Sequence, residues 1–229
     1  MSSNPTSRAK LITSFYERLF FFSLIWLAVF FLSAGTFAFW EAWVVLAILI
    51  IPMVLGFTYW LKNDPDLLKR RSKTNEKETK QKLIIRILSL FFIFTFLIPG
   101  FDKRFEWSVV PLPVVILSDI LLLFGYGLCF LVISENRFAS RTIETEQEQN
   151  VISNGLYAII RHPMYLGIVV MCISLPPALG SYWAMIPAAL IVPVLVARIK
   201  NEESVLVKEL KGYREYLQKT KYRLIPGVW

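Results

Sequence analysis

The polar side chains best placed to do chemistry lie at the two ends of an apolar hairpin in the C-terminal half of the chain. His162 is the only histidine, and it lies in the run Arg161-His162-Pro163-Met164-Tyr165-Leu166-Gly167. Arg198, Glu202 and Glu203 follow the next apolar stretch. The short connection Gly180-Ser181 makes the two stretches antiparallel, so the sequence predicts that both polar clusters meet at one end of the hairpin.

The start of the first of these apolar stretches favours binding of an anion. Pro163 suits the first turn of a helix, where its missing N–H costs little. A helix that begins at about His162 presents free N–H groups to an anion such as a carboxylate. Arg198 and Glu202 are four residues apart and share one face of a continuing helix. That spacing also fits a plain salt bridge, or an arginine that extends to the lipid headgroups, and these alternatives stay open.

The composition places the chain among membrane proteins. Of its 229 residues, 55% are hydrophobic and 15% are aromatic, which is too apolar for a soluble domain of this size. A membrane span needs about 20 mostly apolar residues. We therefore predict an all-α polytopic integral membrane bundle of five to six transmembrane helices, whose fifth span is broken or tilted at Pro176-Pro177. The candidate spans cover residues 19–40, 43–61, 83–99, 110–133, 164–181 and 182–199.

The positive residues predict the orientation of the bundle. If six spans alternate across the membrane, all of the 25 lysine and arginine residues except Lys103 and Arg104 lie on one side. The positive-inside rule makes that side cytosolic, so both termini and the polar end of the hairpin are expected to face the cytosol. The net charge of +8 then lies beside anionic lipid, and no nucleic-acid partner is expected.

Other candidate groups have ordinary structural explanations. Cys129 and Cys172 lie in apolar segments without the spacing of a metal site, so no metal is expected. Gly125-Tyr126-Gly127 lacks the strand and the third glycine of a nucleotide-binding loop, and it predicts close packing of helices. Asp119 lies at membrane depth, where a carboxylate is costly. A buried structural partner and a role in a substrate cavity are equally consistent with that position.

The motifs of the C-terminal part, taken together, resemble the isoprenylcysteine carboxyl methyltransferase family, a group that also includes membrane phospholipid methyltransferases. They occur in family-like order over about residues 134–229: Asn154-Gly155-Leu156-Tyr157, the run 161–167, Arg198 with Glu202 and Glu203, Tyr213 with Tyr216, and Tyr222-Arg223-Leu224-Ile225-Pro226-Gly227. We therefore divide the chain into an N-terminal transmembrane scaffold, residues 1–133, and a methyltransferase-like cofactor-binding region, residues 134–229. The second region contains a loop, spans 5 and 6 and a C-terminal cytosolic helix.

The resemblance implies an enzyme that binds S-adenosyl-L-methionine without a Rossmann domain. The residues implied in cofactor binding are Gln149, Asn150, Val151, Ile152, Tyr157, His162, Pro163, Met164, Tyr165 and Glu202. Arg198 would face a substrate carboxylate. Glu203 would be the catalytic base for an acceptor that has to lose a proton.

The implied reaction is methyl transfer to a lipophilic or lipid-borne acceptor within the membrane, most like a prenylcysteine-type carboxylate. A phospholipid amine and a small thiol are the alternative acceptors. Two other classes of protein stay open. Sterol reductases have a related membrane architecture but bind a nicotinamide cofactor, and a non-catalytic membrane accessory protein could retain the same fold.

Overall fold

The computed structural model describes residues 5–71, 79–136 and 150–229, and these residues form a bundle of helices. The α-helices are α1 (Pro5–Ala34), α2 (Trp40–Asn63), α3 (Pro65–Arg71), α4 (Thr79–Phe105), α5 (Leu112–Glu135), α6 (Pro163–Ala178), α7 (Met185–Glu209) and α8 (Tyr213–Lys219), with one 3-10 helix at Gly155–Ala158. The described residues contain no strand, only a single bridge between Ile160 and Tyr222. The predicted all-α membrane bundle is confirmed.

Among the described residues, four helices are long and apolar enough to cross a membrane, namely α1, α2, α4 and α5. They correspond to the first four predicted spans, although α1 extends well before residue 19. The predicted fifth span is α6, which is apolar but has only 16 residues. At about 1.5 Å per residue it is about 24 Å long, shorter than a bilayer core of about 30 Å. Pro176 and Pro177 lie in its last turn, so they end the helix rather than break it.

The end of the bundle farthest from the hairpin's polar clusters is held by one buried carboxylate. Asp102, near the end of α4, is 1% exposed. Its Oδ1 accepts from the backbone N–H of Ser108 at 2.8 Å, and its Oδ2 accepts from the hydroxyls of Ser108 and Ser181. Ser181 belongs to the turn that joins α6 to α7. These bonds therefore fasten the turn between α6 and α7 to α4. The two polar clusters of the hairpin lie at its opposite end.

Glycine residues bring α5 and α6 into close contact. A Cβ added to Gly125 would lie 2.6 Å from the Met171 Cγ and 2.9 Å from the Gly167 carbonyl oxygen. A Cβ on Gly167 would lie 2.7 Å from the Cys129 sulfur. The close helix packing predicted at Gly125 is thus present. Gly127 is different, because a Cβ there would meet no atom within 4 Å.

These two glycines provide a matched test of the helix contact. Gly125→Ala should destabilise the bundle by about 1–3 kcal/mol, since an added methyl group forces α5 and α6 apart. Gly127→Ala should leave stability unchanged or raise it slightly, because alanine is the better helix former. Thermal unfolding of the detergent-purified variants measures both. Equal unfolding temperatures for the two variants would show that the close approach does not contribute to stability.

Candidate functional site

The hairpin brings its two polar clusters together, as its short connection predicts. His162 Nε2 lies 3.3 Å from Glu203 Oε1, across 41 residues of sequence. The Tyr165 hydroxyl donates to Glu202 Oε2 at 2.5 Å. The start of α6 and the last turns of α7 therefore form one polar region. It contains two adjacent carboxylates with different partners.

Glu203 is the centre of a buried ionic cluster. Its carboxylate is contacted by Arg161 Nη1 at 3.1 Å and by Arg223 Nε at 2.8 Å, in addition to His162. Burial by itself raises the pKa of Glu203, but the hydrogen bonds from His162, Arg223 and Arg161 outweigh it and lower the pKa to about 2. A carboxylate that is ionised and bonded in this way is a weak proton acceptor. This environment does not suit the role of catalytic base suggested for Glu203.

Arg161 fastens the C-terminal segment to the site. Its Nε donates to the Thr220 carbonyl at 2.6 Å, and its Nη2 donates to the Leu217 carbonyl at 3.0 Å. The backbone N–H of Arg161 donates to the Tyr222 carbonyl at 2.9 Å, and that of His162 donates to the Arg223 carbonyl at 3.0 Å. The segment after α8 thus covers the start of α6. Sequence reasoning noted Arg161 and Arg223 within motifs but gave neither a role.

Arg198 is oriented by residues from two other helices. Its Nε donates to the Tyr165 hydroxyl at 2.9 Å, and its Nη1 donates to Gln81 Oε1 at 3.0 Å. The Tyr165 hydroxyl therefore joins Arg198 to Glu202. The alternative of a plain salt bridge between Arg198 and Glu202 is replaced by this bridged arrangement. Gln81, which is fully buried at the start of α4, was not singled out from the sequence, because it lies 117 residues from Arg198.

The segment before α6 packs against the C-terminal helix. Val151 contacts the buried cluster of Leu210, Tyr213 and Tyr216, while Asn150 is exposed and Ile152 is half-buried. The Tyr157 carbonyl accepts from the Tyr216 hydroxyl at 2.8 Å. Gln149, the remaining residue predicted to bind the cofactor in this segment, lies outside the described residues.

Tyr157 is held at both its backbone and its side chain. Its hydroxyl accepts from Asn136 Nδ2 at 3.0 Å, and burial raises its pKa to about 12. The phenol is therefore neutral and serves as a hydrogen-bonding group. Asn136 follows the end of α5, so this contact links the segment before α6 to the preceding helix.

The start of α6 offers backbone donors. Pro163 is the first residue of the helix, and no side chain caps it at His162. The first backbone N–H of the helix with a backbone partner is that of Leu166, which donates at 3.3 Å to the carbonyl of His162, the residue before the helix. Free N–H groups and the positive end of the helix dipole bind carboxylates. The described residues contain no group of three or more metal-ligating side chains.

Residues 115–208 match the isoprenylcysteine carboxyl methyltransferase (ICMT) family. This match confirms the resemblance drawn from the motifs, begins inside α5 and runs almost to the end of α7. It supports a membrane methyltransferase. The Delta(14)-sterol reductase of Mus musculus is 31% identical over 91 residues, which are 38% of this chain and 22% of the reductase. The chain therefore spans about a fifth of the length of that relative.

Removing the charge of Glu203 should release the C-terminal segment. In Glu203→Gln, Arg161 and Arg223 lose their common anion, and breaking a buried ion pair costs on the order of 3 kcal/mol. Trypsin should then cleave at Lys219 and Lys221 faster than in the wild type. Glu215→Gln, on the exposed face of α8, is the control and should be cleaved at the wild-type rate.

The pH dependence of this contact has a defined sign. The pKa of Glu203 is lowered from 4.5 to about 2, so its contribution to stability is complete above about pH 4.5 and is lost as the pH falls towards 2. Acidification from pH 7 to pH 5 should therefore leave the segment bound. Release of the segment within that range, or unchanged trypsin cleavage of Glu203→Gln, would contradict the role given to the cluster.

Proposed function

We propose that this protein transfers a methyl group from S-adenosyl-L-methionine to a lipophilic acceptor, most like a prenylcysteine-type carboxylate. The observation that carries the proposal is the chain of contacts Arg198–Tyr165–Glu202 beside the uncapped start of α6. This arrangement lies inside the region that matches the methyltransferase family. It places a carboxylate, a cation and helix N–H groups in one polar region.

The described residues fit the charges of the cofactor. S-adenosyl-L-methionine supplies, when bound, a methyl group activated by a sulfonium. Glu202 would hold its ammonium group, and the N–H groups at the start of α6 would hold its carboxylate. Tyr157, His162, Pro163, Met164 and Tyr165, with the segment 149–152, would surround the rest of the molecule. The chief work of these residues is alignment, which can lower a barrier by several kcal/mol.

The surroundings of Glu203 favour a carboxylate acceptor over an amine. A carboxylate gives up no proton when its oxygen is methylated, whereas a protonated amine has to lose one. Glu203, the carboxylate suggested as a base, is already bonded to three cationic or imidazole groups and has a pKa near 2. Arg198, in contrast, presents a planar guanidinium whose orientation is set by Gln81 and Tyr165. That group is suited to grip a carboxylate.

The distribution of charge supports a cytosolic site. If six spans alternate across the membrane, the polar end of the hairpin lies on the side that carries nearly all of the positive residues, which the positive-inside rule makes cytosolic. The acceptor would then enter from the lipid, and the water-soluble cofactor would enter from the cytosol.

A nicotinamide-dependent reductase is the second candidate, because a mouse sterol reductase shares 31% identity over 91 residues. Such a cofactor brings phosphate groups that need cations. Arg161, which directly precedes α6, and Arg223 are both bonded to Glu203. The match of residues 115–208 to the methyltransferase family favours the methyltransferase.

Calorimetry on detergent-purified protein separates the two candidates. S-adenosyl-L-methionine should bind to the wild type, and Glu202→Gln should weaken that binding by about tenfold or more, since a hydrogen bond to a charged group contributes about 1.5–3 kcal/mol. Glu215→Gln is the matched control and should bind normally. Binding of NADPH with no binding of S-adenosyl-L-methionine would replace the proposal with the reductase. Unaltered binding in Glu202→Gln would remove Glu202 from the site.

Arg198→Lys tests the nature of the acceptor. Lysine keeps the positive charge but lacks the planar fork that binds a carboxylate through two hydrogen bonds. Methyl transfer to a prenylcysteine should fall by about a hundredfold, equivalent to about 2–3 kcal/mol, while cofactor affinity changes less than threefold. Arg214→Lys, on exposed α8, serves as the control. Full turnover in Arg198→Lys would argue against a carboxylate acceptor, and loss of cofactor binding would reassign Arg198 to the cofactor.

A further inference from the structure

A large apolar cavity lies on another face of α6. Its volume is about 1400 Å³, and it is lined by residues of α1, α2, α3, α5 and α6. Small-molecule pockets are typically about 300–1,000 Å³, so this cavity is large enough for a bulky amphiphile. The cavity lies between α1 and α5. These two helices are held apart because α1 packs mainly on α4, with smaller contacts to α2 and α3.

Aromatic contacts close the walls of the cavity on either side of α2. Phe15 of α1 stacks on Phe57 of α2, with 3.6 Å between the ring centroids. Trp60 of α2 stacks on Phe130 of α5, with 4.7 Å between the centroids. These walls offer an apolar surface to a hydrocarbon chain. They do not distinguish one hydrocarbon from another, so the polar residues of the cavity have to decide its occupant.

The polar lining of the cavity is cationic. Four of the lining residues are Lys10, Arg18, Lys69 and Arg71, and no lining residue among the described part of the chain is acidic. Lys69 also pairs with Asp66 at 3.0 Å, and that aspartate does not line the cavity. The two arginines and two lysines come from α1 and α3. Lys69 and Arg71 belong to α3, which follows the end of α2, and Lys10 and Arg18 belong to the first half of α1. These four residues are called the cationic rim of the cavity.

We propose that this cavity binds an anionic phospholipid of the surrounding bilayer. Its acyl chains would lie along the apolar walls, and its phosphate would lie at the rim formed by Lys10, Arg18, Lys69 and Arg71. Basic pockets between transmembrane helices are suited to anionic headgroups, and guanidinium groups bind phosphate through paired hydrogen bonds. The proposal does not depend on the methyl-transfer reaction.

The arrangement of α6 separates this lipid site from the candidate acceptor site. Met164, Ile168 and Met171 face the cavity, whereas Tyr165 contacts Glu202 and Arg198 of α7. Arg198 and Gln81 do not line the cavity. A methyl acceptor held by Arg198 would therefore lie on a different face of α6 from the four cations of the rim.

Native mass spectrometry of the purified full chain tests the proposal. The probes are phosphatidylglycerol and phosphatidylcholine with identical acyl chains, added separately to protein in detergent. The wild type should bind one phosphatidylglycerol at least about tenfold more tightly than phosphatidylcholine. Arg18→Gln/Arg71→Gln should remove this preference and leave the affinity for S-adenosyl-L-methionine unchanged.

Two further variants keep the experiment decisive. Lys82→Gln/Arg86→Gln removes the same charge from α4, outside the cavity, and should retain the preference. Gly127→Leu extends a side chain into open space in the cavity and should weaken both lipids by about tenfold through lost apolar contact.

Four outcomes would overturn the proposal. The first is equal affinity for the two lipids, and the second is an equal loss of preference in the Lys82→Gln/Arg86→Gln control. The third is displacement of phosphatidylglycerol by a prenylcysteine, which would assign the cavity to the methyl acceptor. Unchanged lipid binding in Gly127→Leu would likewise place the lipid elsewhere on the protein.

Discussion

The carboxylate of Glu203 and the three groups that contact it are the interaction on which the candidate site depends. Arg161 and His162 reach its Oε1, and Arg223 reaches its Oε2. An ionised carboxylate is stable inside a protein only where such partners replace water. These partners come from the start of α6 and from the segment after α8. The side chain of Glu203 therefore connects α7 to two other parts of the chain that are distant from it in sequence.

Adjacent positions on α7 give two glutamates different properties. Successive residues of a helix point about 100° apart, so Glu203 is directed into the buried cationic cluster and Glu202 is directed at the Tyr165 hydroxyl. The first is held ionised and anchors the surrounding structure. Glu202 is linked through Tyr165 to Arg198, and a charged ligand bound there would contact Glu202. Structural and ligand-binding roles are therefore divided between neighbours by helix geometry alone.

The same geometry divides the surroundings of α6. Gly125 and Gly167 let α5 approach α6 closely, and Met164 and Met171 line the apolar cavity on that side. Tyr165 is directed at α7. A helix of 16 residues thus contributes to a close helix contact, an apolar cavity and a polar site. Ser181, just after α6, bonds to Asp102 of α4. This bond holds the end of α6 in place, so the helix contact, the cavity and the polar site keep fixed positions relative to one another.

Local patterns in the sequence were sufficient to predict the elements of this protein, because apolar length, proline position and loop length act between near neighbours in the chain. They predict the first four spans, the start of α6 at Pro163 and the meeting of the two ends of the hairpin. They do not predict the partners. Gln81 and Arg198 are 117 residues apart, and Gly125 and Gly127 look alike in sequence although only Gly125 is packed against α6. Such contacts depend on the rotation and depth of whole helices, and those are decided only when the helices pack together.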